Sequence, residues 1–220
     1  MKILSLTFDD GLLKSAIKVE NLISPYKATF YVVTGWIRPN QVPINDRWNR
    51  HDHGSLDDWK ALSVMGHDIQ SHTVSHHNLD WYRLATDEQI RYEYNESINF
   101  LKQIHNGPYT LSTPYHHVPR INHSYKAVRL GSENGIFNRL NGLNWKQLNA
   151  YGAKKDVAGW AMGNLPNEDE IWVLVCLHGL DDEGYLPWRS DELKRFCDIA
   201  TKKNYKIMSV NEVIYNKCLV

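Results

Sequence analysis

Seven consecutive residues, Ile171 to Leu177 (IWVLVCL), form an almost unbroken apolar run. A strand that is apolar on both faces must be covered on both, as a central strand is in a sheet layered with helices. Other segments supply the layers. Residues 3–8 (ILSLTF) alternate apolar and small polar residues and stop at Asp9-Asp10-Gly11, a strand running into a turn. Lys27 to Val33 is rich in strand formers, and His67 to Ser71 and Tyr205 to Met208 are shorter strands. Helical spacing runs over 12–23. The pair Ser55 and Asp58 opens a helix through Leu62 that ends near Gly66. Thr86 caps a longer one to His105, stopped by Gly107-Pro108. Ser190–Lys203 and Ser209–Asn216 complete the set. Strands alternating with helices predict an α/β fold with a parallel sheet. No repeat, low-complexity tract or linker interrupts residues 1–220, which read as a single domain. The stretches 35–54 and 114–170 read as irregular, and long loops in compact domains tend to carry function.

Composition excludes some function classes. Lys plus Arg and Asp plus Glu number 25 each, so nothing favours electrostatic capture of nucleic acid or an acidic membrane. Cys176, Cys197 and Cys218 are scattered, without a CxxC, which fits a reducing compartment. The N-terminal MKILSL is too short an apolar stretch for a secretory signal, and no 18-residue apolar run occurs, so the expectation is a soluble, cytoplasmic protein.

Four motifs carry candidate chemistry. The adjacent carboxylates Asp9 and Asp10 repel each other unless a cation is near, the plainer alternative being a solvated Asp-Gly turn. His72 and His76, four residues apart in HTVSH, share a face if that segment is a helical turn and can then bind one ion; surface or core histidines are the alternative. Both half-sites follow strands, at the edge where α/β sheets bind ligands. His178 closes the apolar run, where packing explains it poorly. Thr113-Pro114-Tyr115 follows a short strand but is a common loop sequence. Elsewhere, His51-Asp52-His53 reads as a second metal or substrate contact or, more plainly, as a solvated loop. Trp36, Trp48 and Trp81 flank the motifs as candidate sugar-stacking rings, with core packing the default.

TFDDG, GHDIQSHTVSH, the Pro-Tyr loop and CLHG, in this order and over residues 3–214, resemble the polysaccharide deacetylases of carbohydrate esterase family 4, which share the homology domain of the nodulation chitooligosaccharide deacetylase. The resemblance implies a distorted, incomplete (β/α)7-type barrel with its active site at the strand C-terminal rim. It implies that Asp9 is the general base, that Asp10, His72 and His76 are metal ligands, and that His178 is the general acid. Pro114 and Tyr115 would form a groove wall whose Tyr115 N–H holds the oxyanion. Such a division of labour suits amide hydrolysis, which needs an activated water, charge stabilisation at the carbonyl oxygen and a proton for the leaving nitrogen. Two imidazoles and a carboxylate suit one divalent ion, Zn first, with Co, Ni, Mn or Fe also compatible.

The chain also departs from the family pattern. An Arg that often precedes the Pro by two residues, pairing with the base, is Ser112 here, so that either another cation such as Arg120 or Arg129 takes over, or Asp9 keeps a different pKa, or activity is weak. His116 and His117 stand where a Gly is often found. Asp156 and Trp160 are the candidates for a pair that tunes the acid histidine, Asp156 being equally readable as a surface carboxylate beside Lys154 and Lys155. The resulting expectation is a metal-dependent hydrolase removing an acetyl group from an N-acetylated sugar or glycan precursor. The alternatives are an amidohydrolase of cyclic imides, ureides or formamides, and a silent metal-containing glycan-binding module.

Overall fold

A computed structural model describes residues 1–38, 51–131, 137–152, 159 and 163–218. Its strands are β1 (Lys2–Phe8), β2 (Thr29–Val32), β3 (Asp68–Ser71), β4 (Thr110–Ser112), β5 (Ala127–Arg129), β6 (Asn138–Arg139), β7 (Ile171–Leu177) and β8 (Tyr205–Ile207). The helices are α1 (Leu13–Ile23), α2 (Leu56–Val64), α3 (Leu79–Leu84), α4 (Asp87–Leu101), α5 (Ser190–Lys202) and α6 (Val210–Cys218). One sheet runs β5-β4-β3-β2-β1-β7-β6 and curls into a half-barrel, the incomplete (β/α) barrel expected. It is mixed rather than wholly parallel, because β6 pairs antiparallel with β7.

β1 is the hub. One edge pairs with β7 along its whole length, from Lys2↔Ile171 to Phe8↔Leu177. The other edge is divided between β8 at Lys2–Leu4 and β2 at Thr7–Phe8. The period-2 pleat then sorts side chains. Leu4, Leu6, Phe8, Val173, Val175 and Leu177 share a core cluster with Ala16 and Val19 of α1 and Phe196 and Ala200 of α5. Ile3, Trp172, Leu174 and Cys176 point to the other face, with Val210, Val213 and Ile214 of α6. That second face is also where Ser5, Thr7 and Asp9 must lie by alternation, which explains why the β1 sequence alternates while β7 is apolar throughout.

The expected helix caps are present. Ser55 and Asp58 form a capping box on α2, as do Thr86 and Gln89 on α4. Ser209 and Glu212 exchange the same pair of hydrogen bonds at α6. α1 lacks a cap of its own; the buried carboxylate of Glu183 accepts from Ser15 N at 2.7 Å in its place. Asp68, at the start of β3, accepts from Thr29 Oγ1, Gln70 Nε2 and the α6 backbone at Asn211. The Gly66-His67-Asp68 segment is thus structural: His67 bridges Ala28 N and Glu20. Residues 114–170 are less irregular than expected, since β5 and β6 fall within them. Among the described residues no helix is long and apolar enough to cross a membrane.

Candidate active site

The C-terminal ends of β1, β3, β4, β5 and β7 meet at one rim. β1 ends on two consecutive left-handed residues, Asp10 (φ 71°) and Gly11 (φ 66°). A side chain at Gly11 would be strained by this φ and would crowd Val32 Cβ at 3.1 Å, so both conformation and space favour glycine there. The tight turn sends Asp9 and Asp10 to different neighbours. His53 supports it: Nδ1–H donates to Asp10 O (3.0 Å) and Gly11 O (3.2 Å). For His53 this corrects the solvated-loop reading, since its ring is buried against the turn, while Asp52 is exposed as that reading expected.

Asp10, His72 and His76 converge, with one ligand atom from each lying within 4.8 Å of the others. Nε2 of His72 and of His76 stand 3.6 and 3.4 Å from Asp10 Oδ1. Ligand bonds of about 2 Å at tetrahedral angles put ligand atoms about 3.3 Å apart, so the donor set fits a single divalent ion. The imidazoles do not meet on a helical turn, as the spacing had suggested. They meet across a bend in which Thr73 (φ 68°) and His76 (φ 52°) are left-handed. Such backbone is unfavourable for non-glycine residues, a β-branched one above all, and something must hold it. The buried Glu93 of α4 does so, accepting from Val74 N (3.0 Å) and Ser75 N (2.9 Å). His72 Nδ1–H donates to Ser112 O at 2.7 Å, which fixes the tautomer and leaves Nε2 as the donor atom facing Asp10. Burial, with a further push on His76 from His72, lowers both imidazole pKa values, favouring the neutral form a metal needs.

Asp9 belongs to a second cluster. Its N–H donates to Leu177 O, extending the β1–β7 register by one residue and setting Asp9 beside His178. Asp9, Cys176 and His178 offer atoms within 4.8 Å of one another. A cation does not suit this group, because the guanidinium of Arg129 already pairs with Asp9 Oδ2. Ser112 Oγ (3.2 Å) and Cys176 Sγ (3.4 Å) also reach Oδ2. Oδ1 has no hydrogen-bond partner among the described residues. Burial alone would raise the Asp9 pKa; Arg129, helped by His72 and His178, overrides it and holds the carboxylate well below its usual range. Burial pushes His178 down to about 4, opposed by the charge on Asp9.

The absence of arginine at position 112 is thereby resolved. Ser112 of β4 is the register partner of Arg129 on β5. The arginine comes from the next strand at the same height, fully buried, with its guanidinium carbon 5.3 Å from the centre of the Tyr31 ring. Arg120 is elsewhere, paired at the surface with Asp87. Pro114 is buried and opens a single turn through His116 in which Tyr115 is left-handed (φ 52°, ψ 21°). Tyr115 is half exposed, its ring 5.2 Å from that of His76. Trp36 is no stacking platform, being buried with its ring near those of His53 and His76. Trp81 stacks on His77. Trp48, Asp156 and Trp160 lie outside the described residues. A groove of about 540 Å³, lined by residues that include Leu79, Tyr82, Ile90, Tyr94 and Val118, shares Tyr115 with the rim.

The half-barrel is an architecture found in several solved structures. The Xyl-CE4 domain of a multidomain xylanase from the hindgut metagenome of Trinervitermes trinervoides superposes with a TM-score of 0.62 at 16% identity, over 98% of this chain and 91% of that one. A family 4 acetyl xylan esterase from Clostridium thermocellum, in complex with a cobalt ion, gives 0.60 at 16%, over 97% and 91%. A peptidoglycan N-acetylglucosamine deacetylase gives 0.61 at 17%, over 96% and 87%. No curated protein matches the chain by sequence. Residues 1–134 match the polysaccharide deacetylases, and the chain belongs to that family.

Proposed function

We propose that the protein is a metal-dependent hydrolase that removes the acetyl group from an N-acetylated sugar or glycan precursor. The observation that carries this reading is the pairing of two clusters on one rim: a three-residue donor set, and beside it a carboxylate kept ionised by a buried arginine. Family membership supports the reaction class, and the cobalt-bound esterase and the N-acetylglucosamine deacetylase support the metal and the substrate class.

Asp10, His72 and His76 would hold the ion, with Zn²⁺ the first choice and Co²⁺, Ni²⁺, Mn²⁺ or Fe²⁺ compatible with the same donors. When bound, a divalent cation supplies charge that polarises the acyl carbonyl and acidifies water. Asp9 accepts the proton of the attacking water at Oδ1, the oxygen that neither Arg129 nor Ser112 occupies. Arg129 keeps that carboxylate unprotonated and fixed in orientation. His178, beside Asp9, passes the proton taken from the water on to the departing nitrogen; burial keeps its ring neutral at rest, so it takes up that proton only in the course of the reaction. The Tyr115 backbone N–H serves the oxyanion, and the groove beyond its ring offers tyrosine and aliphatic walls to the rest of the substrate.

The test is acetate release by the Zn²⁺- or Co²⁺-loaded protein from N-acetylated oligosaccharides, run beside a panel of cyclic imides and formamides. Chelation should abolish turnover. Asp9→Asn should lower it by about 10²–10⁴-fold with metal content per chain unchanged. Hydrolysis of the cyclic amides with none of the acetylated sugars would overturn the substrate assignment.

A further inference from the structure

His116 is an unusual residue for its position. It follows Tyr115 in a pair of consecutive left-handed residues, with φ of 59° and 52° respectively. Glycine would adopt this backbone without strain, and an imidazole does not. The backbone N–H is tied to Thr113 O at 3.0 Å, yet the ring forms no hydrogen bond among the described residues, and the residue is exposed. Its ring rests against Gly131. A Cβ added there would come within 2.4 Å of His116 Cδ2 and 2.5 Å of Nε2. Gly131 does not have a left-handed φ, so its own backbone makes no demand for glycine. The space taken by the imidazole does.

The ring also lies within electrostatic reach of the centre. Loss of water along its packed edge and then the charge of Arg129 push it down to about 4, Asp9 opposes, and His72 and His178 contribute. At neutral pH it is an uncharged ring with one N–H donor and one nitrogen acceptor. That complement suits a hydroxyl group, which both donates and accepts; an anion would be better served by a cation.

We propose that His116 is a substrate-binding residue of this centre, hydrogen-bonding a hydroxyl of the acylated sugar, and that Gly131 is glycine to admit its ring. The proposal rests on the hydrolase reading above and adds a residue that discriminates polyhydroxylated substrates from plain amides. His116→Gly suits the left-handed backbone and should not lower the melting temperature. It should raise KM for diacetylchitobiose by about 3- to 10-fold, the worth of one neutral hydrogen bond, with bound metal unchanged. Gly131→Ala, which displaces the ring from behind, should shift KM in the same direction. His116→Asn, which tolerates this backbone and can still donate and accept, should restore much of the loss. KM for a hydroxyl-free acetamide should not move in any of the three.

A KM for diacetylchitobiose within twofold of wild type in His116→Gly overturns the proposal. So does an equal rise with the hydroxyl-free amide, or a fall in metal content. If the wild-type protein releases no acetate at all, the hydrolase reading has failed by itself. Calorimetry with diacetylchitobiose then decides the contact, and an equal Kd for wild type and His116→Gly refutes it.

Discussion

The two sides of the rim are assembled in different ways. On the β1–β3 side, Asp10, His72 and His76 come from two short segments, and each segment's residue order already announces a site. On the β4–β5–β7 side, the partners of Asp9 come from three strands far apart in sequence, and sheet register alone brings Ser112, Arg129, Cys176 and His178 to one level. The first side is a candidate ligand set held by local bends and one anchoring carboxylate. The second is a buried charge network in which each member depends on the others. A local set should tolerate damage at a neighbour with a graded loss of metal affinity, whereas a buried network should fail sharply when one charge is removed.

The largest effect expected from this contrast is at Arg129. Arg129→Met leaves the Asp9 carboxylate buried without its cation, and loss of one partner from a buried pair typically destabilises by about 3–5 kcal/mol. Denaturant unfolding should show a loss of that size. The double variant Asp9→Asn/Arg129→Met should recover a good part of it, and additive losses would mean that the two side chains are not coupled. The pH dependence has a definite sign. With its folded pKa held low, Asp9 contributes stability that is present above the unfolded carboxylate value and is lost as pH falls through the folded one. Without Arg129, burial is the dominant influence and raises the pKa. The contribution then reverses and stability falls as pH rises through the carboxylate range. The acidic limb of kcat/KM should move to higher pH in the same variant.

A middle-sized effect is expected at Glu93, which holds the bend of the ligand side. Glu93→Leu leaves Val74 N and Ser75 N without their acceptor and frees a backbone that is otherwise unfavourable at Thr73 and His76. Metal affinity, measured by competition with a chromogenic chelator, should fall by about 10- to 100-fold, the usual scale for groups that orient ligands. Glu93→Gln keeps an acceptor oxygen and should retain most of the affinity. Equal affinities for wild type and Glu93→Leu would show that the bend holds itself.

The same contrast explains what could be read from the chain in advance. Ile171–Leu177 and the alternating 3–8 segment were legible because a seven-residue strand carries its burial pattern in its own letters. The capping pair Ser55/Asp58 and the cap Thr86 were legible because a helix cap is a local exchange of hydrogen bonds. Asp10, His72 and His76 could be nominated together, although the bend that joins the histidines could not: nothing in Thr-Val-Ser signals left-handed backbone. β5 is three residues, Ala-Val-Arg, too short for any periodicity, so Arg129 was one of two candidates until register set it opposite Ser112. His53 was hidden for a similar reason. Its partners are carbonyls of the turn after β1, more than forty residues away, and sequence does not reveal backbone acceptors.

Ser112 joins the two sides and gives the smallest and most discriminating expectation. Its carbonyl orients His72 on the ligand side, while its hydroxyl donates to Asp9 and is touched by Arg129 on the charged side. Ser112→Ala removes only the second role. One hydrogen bond to a carboxylate is worth about 1.5 kcal/mol at the low end, expected where the arginine stays, so kcat should fall by about tenfold. The acidic limb should move slightly toward higher pH, a reduced version of the Arg129→Met shift. Metal affinity should stay at the wild-type value, because the carbonyl that fixes the His72 tautomer is untouched. A loss of metal comparable to that of Glu93→Leu would show that the two sides of the rim are one network, and the contrast between a local ligand set and a register-built charge cluster would have to be abandoned.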